Sequence, residues 1–200
     1  MAQTTCALYF GSFNPFHIGH AAIAGYVLDN CNIESMKLVL TPVNPFKDKS
    51  NILSDANVRL QNLEKSVARF NRERREKIVK SGVTGSGNRE KILEISTVEF
   101  TLPKPNYTYI TLQHLKNMEP ETTFLLVMGG DNLQSLERWY KGEEILKEFT
   151  IMVYPREGYN TEELCRKYGA IYLDAPLMDI SSTQIREGIA RGVDMSEFLY

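Results

Sequence analysis

The feature that most constrains this chain is an apolar run, Cys6-Ala7-Leu8-Tyr9-Phe10, followed at once by Gly11-Ser12-Phe13-Asn14-Pro15-Phe16-His17-Ile18-Gly19-His20. The run suits a buried strand, and the Gly- and Pro-marked turn after it stops that strand before helical spacing begins at Ile18. Strand, tight turn and helix therefore set two of the three histidines near a helix N-terminus. Free backbone N–H groups and the positive end of the helix dipole make such a terminus a natural anion site. Gly11 lets a ligand approach the backbone, and Pro15 holds the turn.

The same alternation recurs downstream. Apolar runs over residues 6–10, 36–41, 123–128, 150–154 and 170–173 are separated by helical spacing over 18–30, 54–70, 108–118, 132–139 and 161–168. Such a pattern predicts βαβ units, an α/β fold built on a doubly wound parallel sheet. Ligands bind that architecture outside the carboxyl ends of its strands, where strand order reverses. The turn after the first strand then opens onto the expected crevice. A chain of 200 residues reads as one domain spanning 1–200.

Residues 69–77 form a mixed-charge run, and 81–88 are rich in Gly and Ser. They read as a solvated helix end followed by a mobile loop. Glu73 and Glu76, interleaved with the basic residues, argue against a nucleic-acid patch. A formal net charge of −2 gives no general reason for nucleic-acid or membrane binding. Cys6, Cys31 and Cys165 are widely spaced and contain no CxxC, which fits a reducing cytoplasm better than a disulfide framework or a zinc knuckle. The N-terminus shows no basic region or cleavage site, and no segment approaches membrane-spanning length.

Near the other end, Ile180-Ser181-Ser182-Thr183-Gln184-Ile185-Arg186 repeats the logic of the first motif with hydroxyls and a guanidinium. A hydroxyl-rich cap leading into an amphipathic helix gathers side-chain oxygens and free amides at one point. Arg186, one turn in, can reach back toward a phosphate with its forked donors. A zinc site shared by His17 and His20 is a poor alternative, because no nearby Cys or carboxylate completes a ligand set.

Together the two segments resemble the HxGH nucleotidylyltransferase superfamily, whose patterns are close to GGTFDPxHxGH and ISSTxIR. Phe10 stands for the first glycine, Ser12 for the threonine and Asn14 for the aspartate, while both histidines and Gly19 remain. The resemblance implies a Rossmann-like fold and a reaction without a covalent enzyme intermediate. One substrate's phosphate attacks the α-phosphate of a nucleoside triphosphate, and pyrophosphate leaves. Positioning and charge stabilisation then carry the catalysis. The resemblance makes His17, His20 and Arg186 catalytic, with His20 nearest the α-phosphate. It puts Ser181, Ser182 and Thr183 on the β- and γ-phosphates and Gly11, Ser12, Phe13, Gly130 and Asp131 with ATP.

Four intervening segments resemble the nicotinate-nucleotide adenylyltransferase family of bacterial NAD biosynthesis. Residues 40–47, ending in Asn44-Pro45-Phe46-Lys47, are similar to IPxxxPPHK, with Phe46 in place of the histidine. Residues 106–112 are similar to SYTxDTL, with Ile110 in place of the aspartate. Phe124 to Asp131 is similar to the strand ending in GxD, and Leu136-Glu137-Arg138-Trp139-Tyr140 to LxxW. The implied partners are ATP and nicotinate mononucleotide, with Asn44, Lys47, Thr108, Trp139 and Tyr140 on the mononucleotide. Trp139 would offer a flat face to the nicotinate ring and Tyr140 its backbone amide to the carboxylate. Plain structural roles stay open beside these: core packing for Trp139 and helix capping for Thr108 and Asp131. The implied cofactor is Mg2+, held mainly by triphosphate oxygens and water. Phosphopantetheine adenylyltransferase, a cytidylyltransferase and a nucleotide-binding regulator without catalysis are the competing readings. The Lys47 and Trp139 segments argue against the first two, and intact His17, His20 and Arg186 against the third.

Overall fold

A computed structural model describes residues 4–43, 55–81 and 91–200 of the chain. Strands β1 (Thr4–Gly11), β2 (Ser35–Leu40), β3 (Leu93–Ser96), β4 (Thr122–Gly129), β5 (Thr150–Tyr154) and β6 (Ile171–Tyr172) form one sheet. Its order is β3-β2-β1-β4-β5-β6, and every neighbouring pair is parallel. Strand order reverses between β1 and β4, as a doubly wound sheet requires. Helices α1 (Ile18–Asn30), α2 (Ala56–Ser81), α3 (Thr108–Met118), α4 (Gly130–Ser135), α5 (Gly142–Glu148), α6 (Thr161–Tyr168) and α7 (Ser182–Ala190) connect and follow the strands.

Both faces of the sheet are covered, which is why the central strands are apolar at nearly every position instead of alternating. Ala7 and Tyr9 of β1 join a cluster with Ile23, Val27, Leu63 and Phe70 on one side. Cys6 and Leu8, pointing the other way, join Leu112, Leu126, Leu133 and Ile145 on the opposite side.

Several elements depart from the sequence expectation. Helix α2 runs through the mixed-charge segment read as a solvated helix end and on to Ser81, past the helical spacing that ended at 70. Its opposite charges stand at helical spacing, as in the Arg69–Glu73 pair at 2.7 Å, and support the helix. Strand β3 was not expected at all. It is a four-residue edge with a single buried residue, Leu93. It is held to α2 by Asn71, whose amide donates to the Leu93 carbonyl and accepts from its N–H, both at 2.9 Å. The expected helix over 132–139 is the short α4 followed by a 3-10 turn, Leu136–Arg138. The chain then reverses through Lys141, at φ 54°, into the unexpected α5. A Cβ on Gly142 would overlap the Leu136 carbonyl, so glycine is required at that reversal. The Gly/Ser-rich stretch expected to be a mobile loop lies outside the described residues from Gly82 onward.

The loops after β1 and β2 are tied by Arg59 of α2, which is only 2% exposed. Its guanidinium donates to the carbonyls of Ser12 (2.9 Å), Thr41 (3.0 Å) and Pro42 (2.8 Å). Removing it strands three carbonyls beside a cavity. Arg59→Ala is expected to cost about 3 kcal/mol or more of unfolding free energy in urea titration, and Arg59→Lys an intermediate amount because it lacks the fork.

Candidate active site

A cleft of about 670 Å³ opens at the carboxyl ends of β1, β2, β4 and β5. His17 caps α1 from an extended backbone, φ −139° and ψ 172°. Its Nδ1 accepts from the Gly19 N–H at 3.1 Å, while His20 Nδ1 accepts from the His17 N–H at 3.3 Å. The two imidazoles thus serve as the reciprocal halves of a capping box. This corrects one expectation: these two amides are spent on the imidazoles and do not wait for an anion. In exchange, each neutral ring carries its proton on Nε2, so both become donors of fixed tautomer.

The rings lie 3.8 Å apart between centroids. A Cβ on Gly19 would stand 3.0 Å from the His17 ring and 3.3 Å from Ile180, so the glycine between them gives the imidazole its room. Phe13, in the preceding turn, sits at φ 41°, a left-handed backbone unusual for an aromatic residue. Burial, and next the positive charge of Arg156, lowers the His17 pKa to about 4. His17 is therefore neutral at physiological pH.

The Ser181 side chain caps α7 by accepting from the Gln184 N–H at 3.2 Å. Two contacts fasten this helix to the first motif. Ser182 Oγ donates to the Pro15 carbonyl at 3.0 Å, and Arg186 Nη1 to the Asn14 carbonyl at 2.8 Å. Arg186 Nη2 also donates to Thr183 Oγ1 at 3.1 Å. The guanidinium expected to reach a phosphate is here engaged with the turn, and it is not part of the cleft wall.

Gly11, Ser12, Phe13, His17, His20, Asp131, Ser181, Ser182, Thr183, Thr108, Trp139 and Tyr140 all line the cleft. Gly130 does not. It is buried in α4, where a Cβ would overlap Thr161, so its role is packing. Asn44 and Lys47 lie outside the described residues. Neither capping alternative holds: α3 is capped at Tyr107 and α4 at Gly129, neither by a side chain. Trp139 packs against the core and also lines the cleft. Tyr140 is exposed, its ring 4.9 Å from that of Tyr107.

Two cleft residues were not anticipated. Arg156, just past β5, lies 3.7 Å from the Asp131 carboxylate and adds positive charge to the wall. Glu99, 1% exposed, accepts from Thr111 Oγ1 at 2.7 Å. Its backbone carbonyl accepts from Asn106 Nδ2 at 2.9 Å, and the Asn106 side chain also accepts from the Val43 N–H. Burial raises the Glu99 pKa against the opposing influence of the Thr111 and Thr41 hydroxyls. Arg156 had a weak sequence signal, a lone basic residue at a strand's carboxyl end. Glu99 had none. Among the described residues, no group of three or more His, Cys, Asp or Glu side chains could hold a metal ion.

The cytidylyltransferase-like family model matches residues 8–188. A Bacteroides fragilis protein named probable nicotinate-nucleotide adenylyltransferase is 36% identical over 200 residues, covering 100% of this chain and 89% of the relative. A protein of the same name from Flavobacterium johnsoniae is 36% identical over 194 residues, covering 96% and 90%. Among solved structures, Plasmodium falciparum nicotinic acid mononucleotide adenylyltransferase complexed with NaAD aligns with a TM-score of 0.72 at 17% identity. It covers 98% of this chain and 91% of that one, and it supports the fold.

The lowered His17 pKa has a consequence for stability. An unfolded histidine takes up its proton near pH 6.5, whereas folded His17 resists until about pH 4. The unfolded state thus binds more protons in this window, and the folded state loses stability as pH falls from 6.5 toward 4. In urea unfolding of the ligand-free protein at pH 7 and 4.5, His17→Asn is expected to lose on the order of 2 kcal/mol less than the wild type over the same drop. Equal losses would remove this reading of His17.

Proposed function

Because the chain belongs to the cytidylyltransferase-like family and, within it, to the nicotinate-nucleotide adenylyltransferases, we infer that it transfers the adenylyl group of ATP to nicotinate mononucleotide, in the biosynthesis of NAD. The observation that carries the site assignment is convergence. The two imidazole donors, the α7 N-terminus and the Thr108–Trp139–Tyr140 wall open onto one cleft at the point where strand order reverses.

In this reading a phosphate oxygen of the mononucleotide attacks the α-phosphorus of ATP. The bond from that phosphorus to the bridging oxygen breaks, and pyrophosphate departs with the electron pair. Neutral His17 and His20 donate from Nε2 to phosphate oxygens on which charge grows, His20 nearest the α-phosphate. Donors fixed before the reaction incur no reorganisation as that charge develops. Ser181, Ser182 and Thr183 face the β- and γ-phosphates, and Arg156 supplies positive charge beside them. Arg186 acts by holding α7 against Asn14 unless ATP draws it away. On the acceptor side, Trp139 stacks on the pyridine ring while Thr108 and the Tyr140 amide meet its carboxylate. Lys47 and Asn44 belong with the mononucleotide phosphate.

In this reading the enzyme works with ATP and a divalent metal. The donor set fits Mg2+ carried by the nucleotide: the cleft wall has imidazole, hydroxyl and guanidinium donors but only the separated carboxyls of Glu99 and Asp131. When bound, the ion neutralises phosphate charge. The reducing cytoplasm is the proposed location. No described helix is long and apolar enough to cross a membrane.

Pyrophosphate release tests the reading, with ATP, Mg2+ and separately supplied nicotinate mononucleotide, nicotinamide mononucleotide or phosphopantetheine. Release is expected with the nicotinate compound, and preference for either other acceptor reassigns the Thr108–Trp139 wall. His20→Ala is expected to lower kcat about 100- to 1,000-fold with the KM for ATP little changed. Trp139→Ala is expected to raise the KM for the mononucleotide about 3- to 10-fold, and Lys47→Ala to act on the same constant, leaving ATP largely unaffected.

A further inference from the structure

Leu199 and Tyr200 close against the turn that carries the imidazoles. Leu199 forms an isolated antiparallel bridge with His17. The Tyr200 ring stands edge-on to Phe16, 5.8 Å between centroids. Phe16, 4% exposed, in turn stacks on His20 at 5.4 Å and 20° between planes. His20 lies 3.8 Å from His17. Four rings therefore run in contact from Tyr200 through Phe16 to the two donors of the site.

The outer end of this column is anchored on α2. Ser66 Oγ donates to the Tyr200 carbonyl at 2.7 Å, and the Tyr200 hydroxyl donates to Glu73 at 2.6 Å. The Arg69 guanidinium covers the ring at 4.9 Å, and Phe70 meets it at 5.9 Å. Burial and the Glu73 carboxylate hold the Tyr200 phenol well above its ordinary range, so it remains a donor at any physiological pH.

We propose that Tyr200, together with Leu199, positions the two imidazoles for adenylyl transfer, bracing them through Phe16 and the His17 bridge while α2 holds the brace in place. This rests on the reading of His17 and His20 as donors to phosphate. The need for a brace follows from the local chain. The turn contains a left-handed Phe13, and each Nδ1 bond within it depends on ring orientation. Catalytic groups displaced by about 1 Å can lose about 100-fold in rate. On the other side, the Asn14 and Pro15 carbonyls are fastened to α7, so the turn is gripped at both ends.

The test uses the full chain and three variants: Tyr200→Ala, Tyr200→Phe and the double variant Ser66→Ala with Glu73→Gln, which loosens the anchor without touching the turn. Tyr200→Ala is expected to lower kcat about 10-fold or more, with the KM for ATP within about threefold. Tyr200→Phe keeps the ring and is expected to stay within about threefold in kcat, and the double variant to fall between them. A second readout needs no activity: the imidazole titration of His17 followed by NMR in the free protein. Arg156 and His20 face the His17 ring in every variant. Tyr200→Ala is therefore expected to move the His17 pKa upward from about 4 by admitting solvent. Equal kcat in Tyr200→Ala and wild type, equal losses in the Ala and Phe variants, or an unchanged His17 titration would each overturn the brace. Should Tyr200→Ala not fold, the double variant decides by the same two readouts. Absence of transferase activity in the wild type would overturn the adenylyl-transfer reading alone, and the titration would still judge the brace.

Discussion

A guanidinium without access to water holds this site together. Arg59 reaches from α2 to the backbone just past β1 and just past β2, and it satisfies three carbonyls there that no strand partner satisfies. Loops at the carboxyl ends of parallel strands have nowhere regular to direct these groups, and a buried orphan carbonyl costs about 1–3 kcal/mol. Placing a forked donor beside three carbonyls lets one side chain do the work of several water molecules. The consequence is spatial. Ser12 begins the turn that carries the histidines, while Thr41 and Pro42 begin the segment that leads to Asn44 and Lys47. The turn that carries the histidines and the start of the segment after β2 are therefore registered against each other by one buried side chain.

The two histidines show how one arrangement meets a structural and a chemical demand together. A helix N-terminus leaves its first amides unpaired, and Ser, Thr or Asp usually accepts from them. Here imidazole nitrogens accept instead. That choice fixes the tautomer, turns each remaining ring N–H into a donor, and favours the neutral form that burial and Arg156 already impose on His17. A cationic pair of rings at 3.8 Å would repel itself. A pair whose Nδ1 atoms both accept from backbone N–H groups can sit at that distance.

Much of this was legible in the sequence. Long apolar runs gave the central strands, because burial on both faces leaves no polar alternation to confuse. Helices α1, α3 and α6 begin and end where their spacing says. Illegible parts share a cause: their stabilisation is tertiary. Strand β3 has one buried side chain and exists because Asn71 of α2 mimics a strand partner for Leu93. The charged stretch that looked like a fraying helix end is held by Phe70 in the core and by Arg74 paired with Asp29 at 2.7 Å. In the site, motif residues announced themselves through spacing, whereas Glu99 and Arg59 are charged residues that hydropathy alone would put in water. Arg186 was expected to reach toward a phosphate, and no spacing could say that its fork closes on the Asn14 carbonyl.

The contact of Arg186 bears on how the reaction divides its labour. The two motifs lie more than 160 residues apart in sequence, and Ser182 and Arg186 join them through backbone carbonyls of the first turn, not through its side chains. Carbonyl contacts are indifferent to side-chain identity, so this joint does not require an aspartate where Asn14 stands. The first turn and the start of α7 are therefore joined directly, while Thr108, Trp139 and Tyr140 stand on separate elements. An in-line displacement constrains both sides, because the attacking oxygen must stand opposite the bond that breaks, so a wall built on them has to be positioned as firmly as the joined motifs.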